Sequence, residues 1–202
     1  STTLIVHILY KHFFSKTWKA IKNFELRTLR LDAVLFFLKH KTIDIYGSGW
    51  DNLNNLPKKY RIIGSDQYKN CIKGKLEYVA EDQHSLKINL LKQYKFNLCY
   101  ENIALEGYIT EKIFHCFLTG TIPIFYGPKE IGDIIPKDAF IDVRDFKSLK
   151  DLYSFMNTID NEQAKEYIMA GKNYLLGLAK DKMQYSPDYI ANSFLKDLLV
   201  SE

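Results

Sequence analysis

The chain has 202 residues, of which 47% are hydrophobic and 26% are charged, and its formal net charge is +4. This balance is typical of a folded globular protein and excludes an intrinsically disordered chain, and the length predicts one domain over residues 1–202. No apolar run reaches the roughly 20 residues that a membrane span needs. The basic residues form no stripe interleaved with aromatics, so we expect no nucleic-acid partner.

The predicted elements alternate between strands and helices along the whole chain. Apolar runs bounded by turn residues predict strands over 4–9, 43–46, 96–100, 121–126 and 141–143. Apolar residues at helical spacing predict helices over 23–40, 82–92, 110–118, 148–159, 162–176 and 187–199. The first of these helices has a predicted buried face made of Leu26, Leu29, Ala33, Phe36 and Phe37. Residues 51–70 are poorly patterned, and we expect loop there with one short strand.

This order of elements predicts the fold class. Strands that alternate with helices are typical of right-handed crossovers in a mostly parallel sheet, with helices on both faces. We therefore expect an α/β, Rossmann-like fold. No GxGxxG sequence is present, which argues against a dinucleotide-binding oxidoreductase.

The cysteines and histidines show no metal-site pattern. Cys71, Cys99 and Cys116 have no CxxC spacing, and no two of the five histidines are four residues apart. Cys99 and Cys116 fall in a predicted strand and a predicted helix, where we interpret them as small buried thiols. We expect no metal site in this chain.

The connection after the third predicted strand holds the most informative residues. The strand ends at Glu101 and Asn102, a loop with Gly107 follows, and Glu111 and Lys112 open the next helix. Ligands of open α/β sheets lie at the carboxyl ends of strands, and helix N-termini favour anions. A carboxylate can accept hydrogen bonds from two hydroxyl groups, and a lysine can bind a phosphate. This combination favours a nucleotide-sugar ligand.

Each of these residues also has an ordinary structural interpretation. A glutamate in a first helical turn gains roughly 0.3–1 kcal/mol from the helix dipole without any ligand. Lys112 fits a solvated helix lysine, Asn102 a turn former, and Tyr108 a packing aromatic. Gly127 fits a simple turn behind its strand, with close approach to a ligand as the alternative.

The amino-acid sequence of this region resembles that of one family. The runs YKFNLCYEN, GYITEKIF, GTIPIFYG and FIDVRDF, within residues 91–146, are similar to the donor-binding half of the α-1,3/1,4-fucosyltransferases of glycosyltransferase family 10. A weaker similarity extends back through IDIYGSGW at residues 43–50 to Arg30.

The resemblance implies roles for five residues in binding the donor substrate GDP-fucose. It implies that Glu111 holds the ribose of GDP and that Lys112 binds the pyrophosphate. Arg30, in RLDAVLFF, matches the family's phosphate-binding arginine and is preferred over the alternative Arg27. Asn102 and Tyr108 match positions that contact the donor's sugar or diphosphate.

The resemblance further implies that the chain is the C-terminal, donor-binding half of a two-domain GT-B enzyme with inverting chemistry. L-Fucose would pass to an N-acetylglucosamine or glucose hydroxyl of an acceptor glycan in an α-1,3 or α-1,4 linkage. The general base would come from an N-terminal acceptor domain that this sequence does not contain, so we assign no catalytic residue here. No cofactor or metal is expected. Relatives of this kind are cytoplasmic in bacteria and Golgi membrane proteins in eukaryotes, and any membrane attachment would lie outside this sequence.

Two departures from the family keep alternatives open. Leu9 and Tyr10 stand where the family commonly has a Ser-Asn pair, and the sequence contains no stretch equivalent to the one that supplies the general base. Glu101, although typical of the family, fits a residue that orients the loop instead of contacting the ligand. The alternatives are a GT-B glycosyltransferase that uses another nucleotide-sugar and a nucleotide-sugar binding module without catalysis.

Overall fold

A computed structural model describes residues 25–40, 42–46, 57–74 and 83–180. The chain divides into two compact units, residues 1–86 and 87–202, which are described separately. The predicted strand at 4–9, the predicted helix at 187–199 and the pair Leu9 and Tyr10 lie outside the described residues. The expectation of a single domain over residues 1–202 stays a prediction.

The first unit contains a helix, a short parallel pair of strands and two 3₁₀ helices. In chain order these are α1 (Arg27–Lys39), β1 (Ile45–Tyr46), the 3₁₀ helices Lys58–Gly64 and Asp66–Cys71, and β2 (Ile72–Gly74). Strands β1 and β2 run parallel, with Ile45 opposite Ile72. The expectation of loop with one strand over 51–70 was wrong for 57–70, where the two 3₁₀ helices lie, and residues 51–56 lie outside the described residues.

Helix α1 confirms part of the predicted buried face, because Leu26, Ala33 and Phe37 are buried. Leu29 is 42% exposed, and Phe36 is only half-buried. The buried side chains of the helix are Ala33, Val34, Phe37 and Leu38. The prediction thus included two apolar residues that are not buried and omitted Val34 and Leu38, which are.

The second unit is a three-stranded parallel sheet with helices between and after its strands. It begins inside α2 (Gln83–Leu91) and continues with β3 (Phe96–Tyr100), α3 (Glu111–Thr119), β4 (Ile122–Tyr126), α4 (Ile131–Ile134), β5 (Ile141–Asp142), α5 (Leu149–Thr158) and α6 (Asn161–Lys180). The strand order is β3-β4-β5, and both pairings are parallel. The predicted α/β class with a parallel sheet is confirmed, whereas the short helix α4 was not predicted.

The core of this unit forms around the central strand β4. Residues 122–125 of β4 are all buried, as is typical of a parallel strand covered on both faces. Gly120 ends α3 with a φ of 70°, which confirms the predicted helix stop. In the part of the chain that the structure describes, no helix is both long and apolar enough to cross a membrane.

Helix α6 approaches this core closely at one glycine. Gly171 is buried against the ring of Phe117 in α3, and a methyl group added at Gly171 would overlap that ring, with two of its carbons at 3.0 Å. Gly177 lies two turns further along the same helix, and a methyl group there would meet nothing within 4 Å.

These two glycines give a matched test of the packing. We expect Gly171→Ala to destabilise the protein by roughly 1–3 kcal/mol through overpacking. Gly177→Ala should instead stabilise it by about 0.5–1 kcal/mol, because alanine costs less backbone entropy in a helix. Urea denaturation of both variants measures the difference, and a stabilising Gly171→Ala would contradict the packing of α6 on α3.

Candidate functional site

The site is organised around a carboxylate at the end of strand β3. Glu101 follows Tyr100 directly, and its side chain is completely buried. Its backbone N–H donates to the carbonyl oxygen of Tyr126 at 2.8 Å, so the parallel ladder with β4 continues one residue beyond the strand. The sheet therefore fixes the position of this glutamate through its backbone.

The carboxylate of Glu101 connects the strand end to the start of helix α3. It accepts hydrogen bonds from the backbone N–H of Thr110 at 2.9 Å and from the Thr110 hydroxyl at 2.8 Å. It also pairs with Lys112, whose Nζ lies 2.8 Å from Oε2. Lys112 Nζ donates in addition to Thr110 Oγ1 at 2.7 Å. A buried charge is tolerated when it is paired and hydrogen-bonded, and this network meets both conditions.

The same network leaves the N-terminus of α3 without a capping side chain. Thr110 occupies the N-cap position with an extended backbone, but its side chain makes no capping hydrogen bond. The hydroxyl is used by Glu101 and Lys112 instead. The first amides of a helix have no partner within the helix, and they carry the positive end of its dipole. This end of α3 is suited to an anion.

Glu111 is the first residue of α3 and is half-buried. Burial raises the pKa of its carboxyl and is the largest single influence. The nearby charges of Lys112 and Lys87, a backbone N–H and His115 together outweigh it and lower the pKa below its usual value. The side chain is thus a carboxylate at neutral pH, able to accept two hydroxyl groups.

The loop before α3 places Asn102 and Tyr108. Asn102 follows the buried glutamate and is half-buried. Gly107 adopts a φ of 71°, and its N–H donates to Glu130 Oε1 at 2.8 Å. Tyr108, half-buried, closes the turn by donating its N–H to the carbonyl oxygen of Leu105 at 3.0 Å.

Gly127, which follows β4, is packed closely against Phe125 and Glu101. A methyl group on it would lie 2.5 Å from Cζ of Phe125 and 3.2 Å from Cγ of Glu101. The glycine is needed because β4 passes its exit turn directly against the buried glutamate. The structure thus gives Gly127 a packing role that neither sequence interpretation had included.

The structure gathers four of the five predicted site residues in one segment of the second unit. Asn102 and Tyr108 lie in the loop after β3, and Glu111 and Lys112 lie in the first turn of α3. Arg30 lies in α1 of the first unit, and its role stays a prediction. The orienting role considered for Glu101 agrees with its hydrogen bonds, whereas the part of the Thr110 hydroxyl was missed.

A separate cavity of about 280 Å³ lies beside β5, and none of the five predicted residues lines it. Its charged lining residues are Lys129, Asp133, Lys137, Asp142, Arg144 and Asp145. Arg144 is held by Asp142, with Nε 2.9 Å from Oδ1, and this hydrogen bond raises the pKa of Arg144. The three cations and three carboxylates balance, so the cavity has no charge preference that would indicate a ligand.

Comparison with known proteins identifies the family. The family model described as glycosyltransferase family 10 (fucosyltransferase), C-terminal, matches residues 14–175. The chain belongs to this family.

Individual members of family 10 show the extent of the similarity. The α-(1,3)-fucosyltransferase FucT of Helicobacter pylori is 31% identical over 138 residues, 68% of this chain and 26% of that protein. An α-(1,4)-fucosyltransferase of Arabidopsis thaliana is 33% identical over 72 residues, 36% of this chain and 18% of that protein. A crystal structure of an α1,3-fucosyltransferase with GDP-fucose is 31% identical, with a TM-score of 0.39, over 48% of this chain and 28% of that one. The chain therefore spans about a quarter of the length of these relatives.

The buried network predicts a large effect of one charge. Glu101→Gln keeps the shape of the side chain but removes the charge that accepts hydrogen bonds from Lys112 and Thr110. Because the remaining ammonium of Lys112 is partly exposed, we expect the cost of losing these charge-assisted hydrogen bonds, roughly 1.5–3 kcal/mol. Glu106→Gln is the matched control, because Glu106 is an exposed glutamate of the same loop and its substitution should stay within about 0.5 kcal/mol. Urea denaturation of the two variants measures this difference. Equal midpoints would show that the Glu101 network does not stabilise the fold.

Proposed function

We propose that this chain is the donor-binding part of a fucosyltransferase and binds GDP-fucose at the start of helix α3. One observation carries the proposal: Glu111 and Lys112 lie next to each other in the first turn of α3, at the carboxyl edge of the parallel sheet. Membership of glycosyltransferase family 10 supports it, as do two relatives that are an α-(1,3)- and an α-(1,4)-fucosyltransferase.

In this proposal the ribose binds Glu111 and the diphosphate binds α3. The ionised carboxylate of Glu111 accepts hydrogen bonds from the two ribose hydroxyl groups. The first amides of α3 and the ammonium of Lys112 bind the phosphate oxygens. A lysine ammonium has three N–H donors, and Lys112 uses two of them for Glu101 and Thr110. The third donor serves the ligand.

The same groups would assist the transfer of fucose. Negative charge accumulates on GDP as it leaves, and cations directed at the diphosphate stabilise that charge. We assign this role to Lys112 and Arg30, while Asn102 and Tyr108 contact the donor's sugar or diphosphate. The acceptor is a glycan hydroxyl, whose oxygen attacks the anomeric carbon of fucose in a single displacement with inversion. The bond from that carbon to the diphosphate breaks, GDP leaves, and an α-1,3 or α-1,4 linkage forms. The general base belongs to an acceptor domain outside this chain, in a GT-B arrangement, and no metal or cofactor takes part.

The proposal predicts the effect of Glu111 on nucleotide affinity. Loss of charge-assisted hydrogen bonds costs roughly 1.5–3 kcal/mol, so Glu111→Ala should weaken GDP binding by about ten- to a hundredfold. Calorimetry with GDP measures this change. Glu162→Ala is the matched control, because Glu162 lies in the first turn of α6 and its carboxylate pairs with the exposed Lys165. If both variants bind GDP like the parent chain, the proposed ribose site is wrong.

Lys112→Ala should weaken GDP binding by a similar factor. Its control is Lys150→Ala, because Lys150 is an exposed lysine at the equivalent second position of α5. Since Lys112 also neutralises the buried Glu101, Lys112→Ala is measured in the parent chain and in the Glu101→Gln background. A loss of affinity in both backgrounds assigns the effect to the phosphate contact. If Lys112→Ala does not change the affinity for GDP in the Glu101→Gln background, Lys112 does not bind the diphosphate.

Two further measurements separate the alternatives. Binding of GDP-fucose in preference to GDP-mannose and UDP-sugars is expected, and preference for a UDP-sugar would end the fucose assignment. The other alternative is a nucleotide-sugar binding module without catalysis. Its coding sequence upstream of Ser1 decides this, because an enzyme requires an acceptor domain there.

A further inference from the structure

Two cysteines of the second unit lie in direct contact beneath the proposed site. The Sγ atoms of Cys99 in β3 and Cys116 in α3 are 3.2 Å apart, and both side chains are completely buried. Both are free thiols. The side-chain amide of Asn97 lies 3.2 Å from the first sulfur and 3.3 Å from the second. The pair is therefore held in place from the strand and from the helix.

We propose that Cys99 and Cys116 are an oxidative modification site. A hydroperoxide oxidises the two thiols, and they form an intramolecular disulfide with each other. A disulfide requires an S–S distance of roughly 2.05 Å, so the two sulfurs have to approach by about 1 Å. In this proposal, rotation of the two side chains about their Cα–Cβ bonds brings the sulfurs together. The disulfide would join strand β3 covalently to helix α3. This inference is independent of the proposed function.

The chemistry needs one molecule of peroxide for each disulfide. One thiolate attacks a peroxide oxygen, the O–O bond breaks, and a sulfenic acid and water form once the thiol proton is transferred. The second sulfur then attacks the sulfenic sulfur, the S–O bond breaks, and the hydroxyl leaves as a second water with the remaining thiol proton. The two sulfurs lose two electrons in total, and the peroxide gains them.

Burial decides which oxidants act and how fast. Burial raises the pKa of the Cys99 thiol, and the neighbouring Cys116 raises it further, so its thiolate is scarce. We therefore expect slow oxidation by a molecule as small as hydrogen peroxide and none by a bulky disulfide reagent in the folded state. Cys71 is the internal contrast, because it is partly exposed and lies in the first unit.

The disulfide would close a short loop around the site. The two cysteines are 17 positions apart, and the enclosed segment contains Glu101, Asn102 and the first turn of α3. Closing a loop of this length restricts the unfolded chain. For a protein of this size we expect the melting temperature to rise by roughly 5 °C or more.

The test uses the full chain with Cys71→Ala, so that only the two buried cysteines remain. It is treated with hydrogen peroxide under native conditions and analysed by mass spectrometry and thermal unfolding. The expected result is a loss of two hydrogens, a cross-linked pair of peptides containing Cys99 and Cys116, and a higher melting temperature. Dithiothreitol should reverse all three changes.

The control is the same chain with the additional substitution Cys116→Ala, which should show no loss of hydrogen and no rise in melting temperature. Its melting curve before oxidation checks that it folds, and Cys116→Ser replaces it if it does not. Addition of oxygen atoms to the Cys71→Ala chain without cross-linked peptides would overturn the proposal. So would thiols that stay reduced until the chain is unfolded.

Discussion

The ion pair between Glu101 and Lys112 is the constraint on which the site depends. A fully buried carboxylate is costly unless donors surround it, and here the donors are Lys112 and the N–H and hydroxyl of Thr110. Because Glu101 is fixed to β4 through its backbone, these bonds place the first turn of α3 relative to the sheet. Gly127 contributes by leaving room for the Phe125 ring and the glutamate, since a side chain there would overlap the ring and crowd Glu101. The end of β3, the start of α3 and the turn after β4 thus all contact the carboxylate side chain of Glu101.

The sequence predicted the second unit better than the first, and the reason is physical. Strands β3 and β4 are apolar runs bounded by turn residues, and such runs leave little choice of structure when the strand is buried. Helix α1 instead carries apolar residues around much of its circumference, so its sequence alone does not distinguish the buried Val34 and Leu38 from the exposed Leu29. The 3₁₀ helices over 58–71 bury Tyr60, Ile63 and Tyr68 at irregular spacing, and no periodic pattern predicts this.

The candidate site could be located from the sequence but not assembled from it. Glu111 and Lys112 were found because they open a helix directly after a strand and its loop. The partners of the network required tertiary structure, because Glu130 reaches Gly107 from 23 residues away. The contact of Cys99 with Cys116 is of the same kind, since each cysteine fits its own element as a small buried residue. Periodicity reveals which face of an element is buried, and it does not reveal which buried residues meet.

The charges near α3 explain why the proposed site needs a further cation. In this segment Glu101 and Glu111 are opposed by Lys112 and by Lys87, which acts on Glu111. These four side chains sum to zero, so they offer a diphosphate no net attraction. The amino end of α3 supplies the equivalent of about half a positive charge, less than a diphosphate carries. A guanidinium suits this need, because it remains charged and matches phosphate geometry in a bidentate way. Lys112 suits its own position for the opposite reason, since its compact ammonium can bind two inward acceptors and still direct one donor outward.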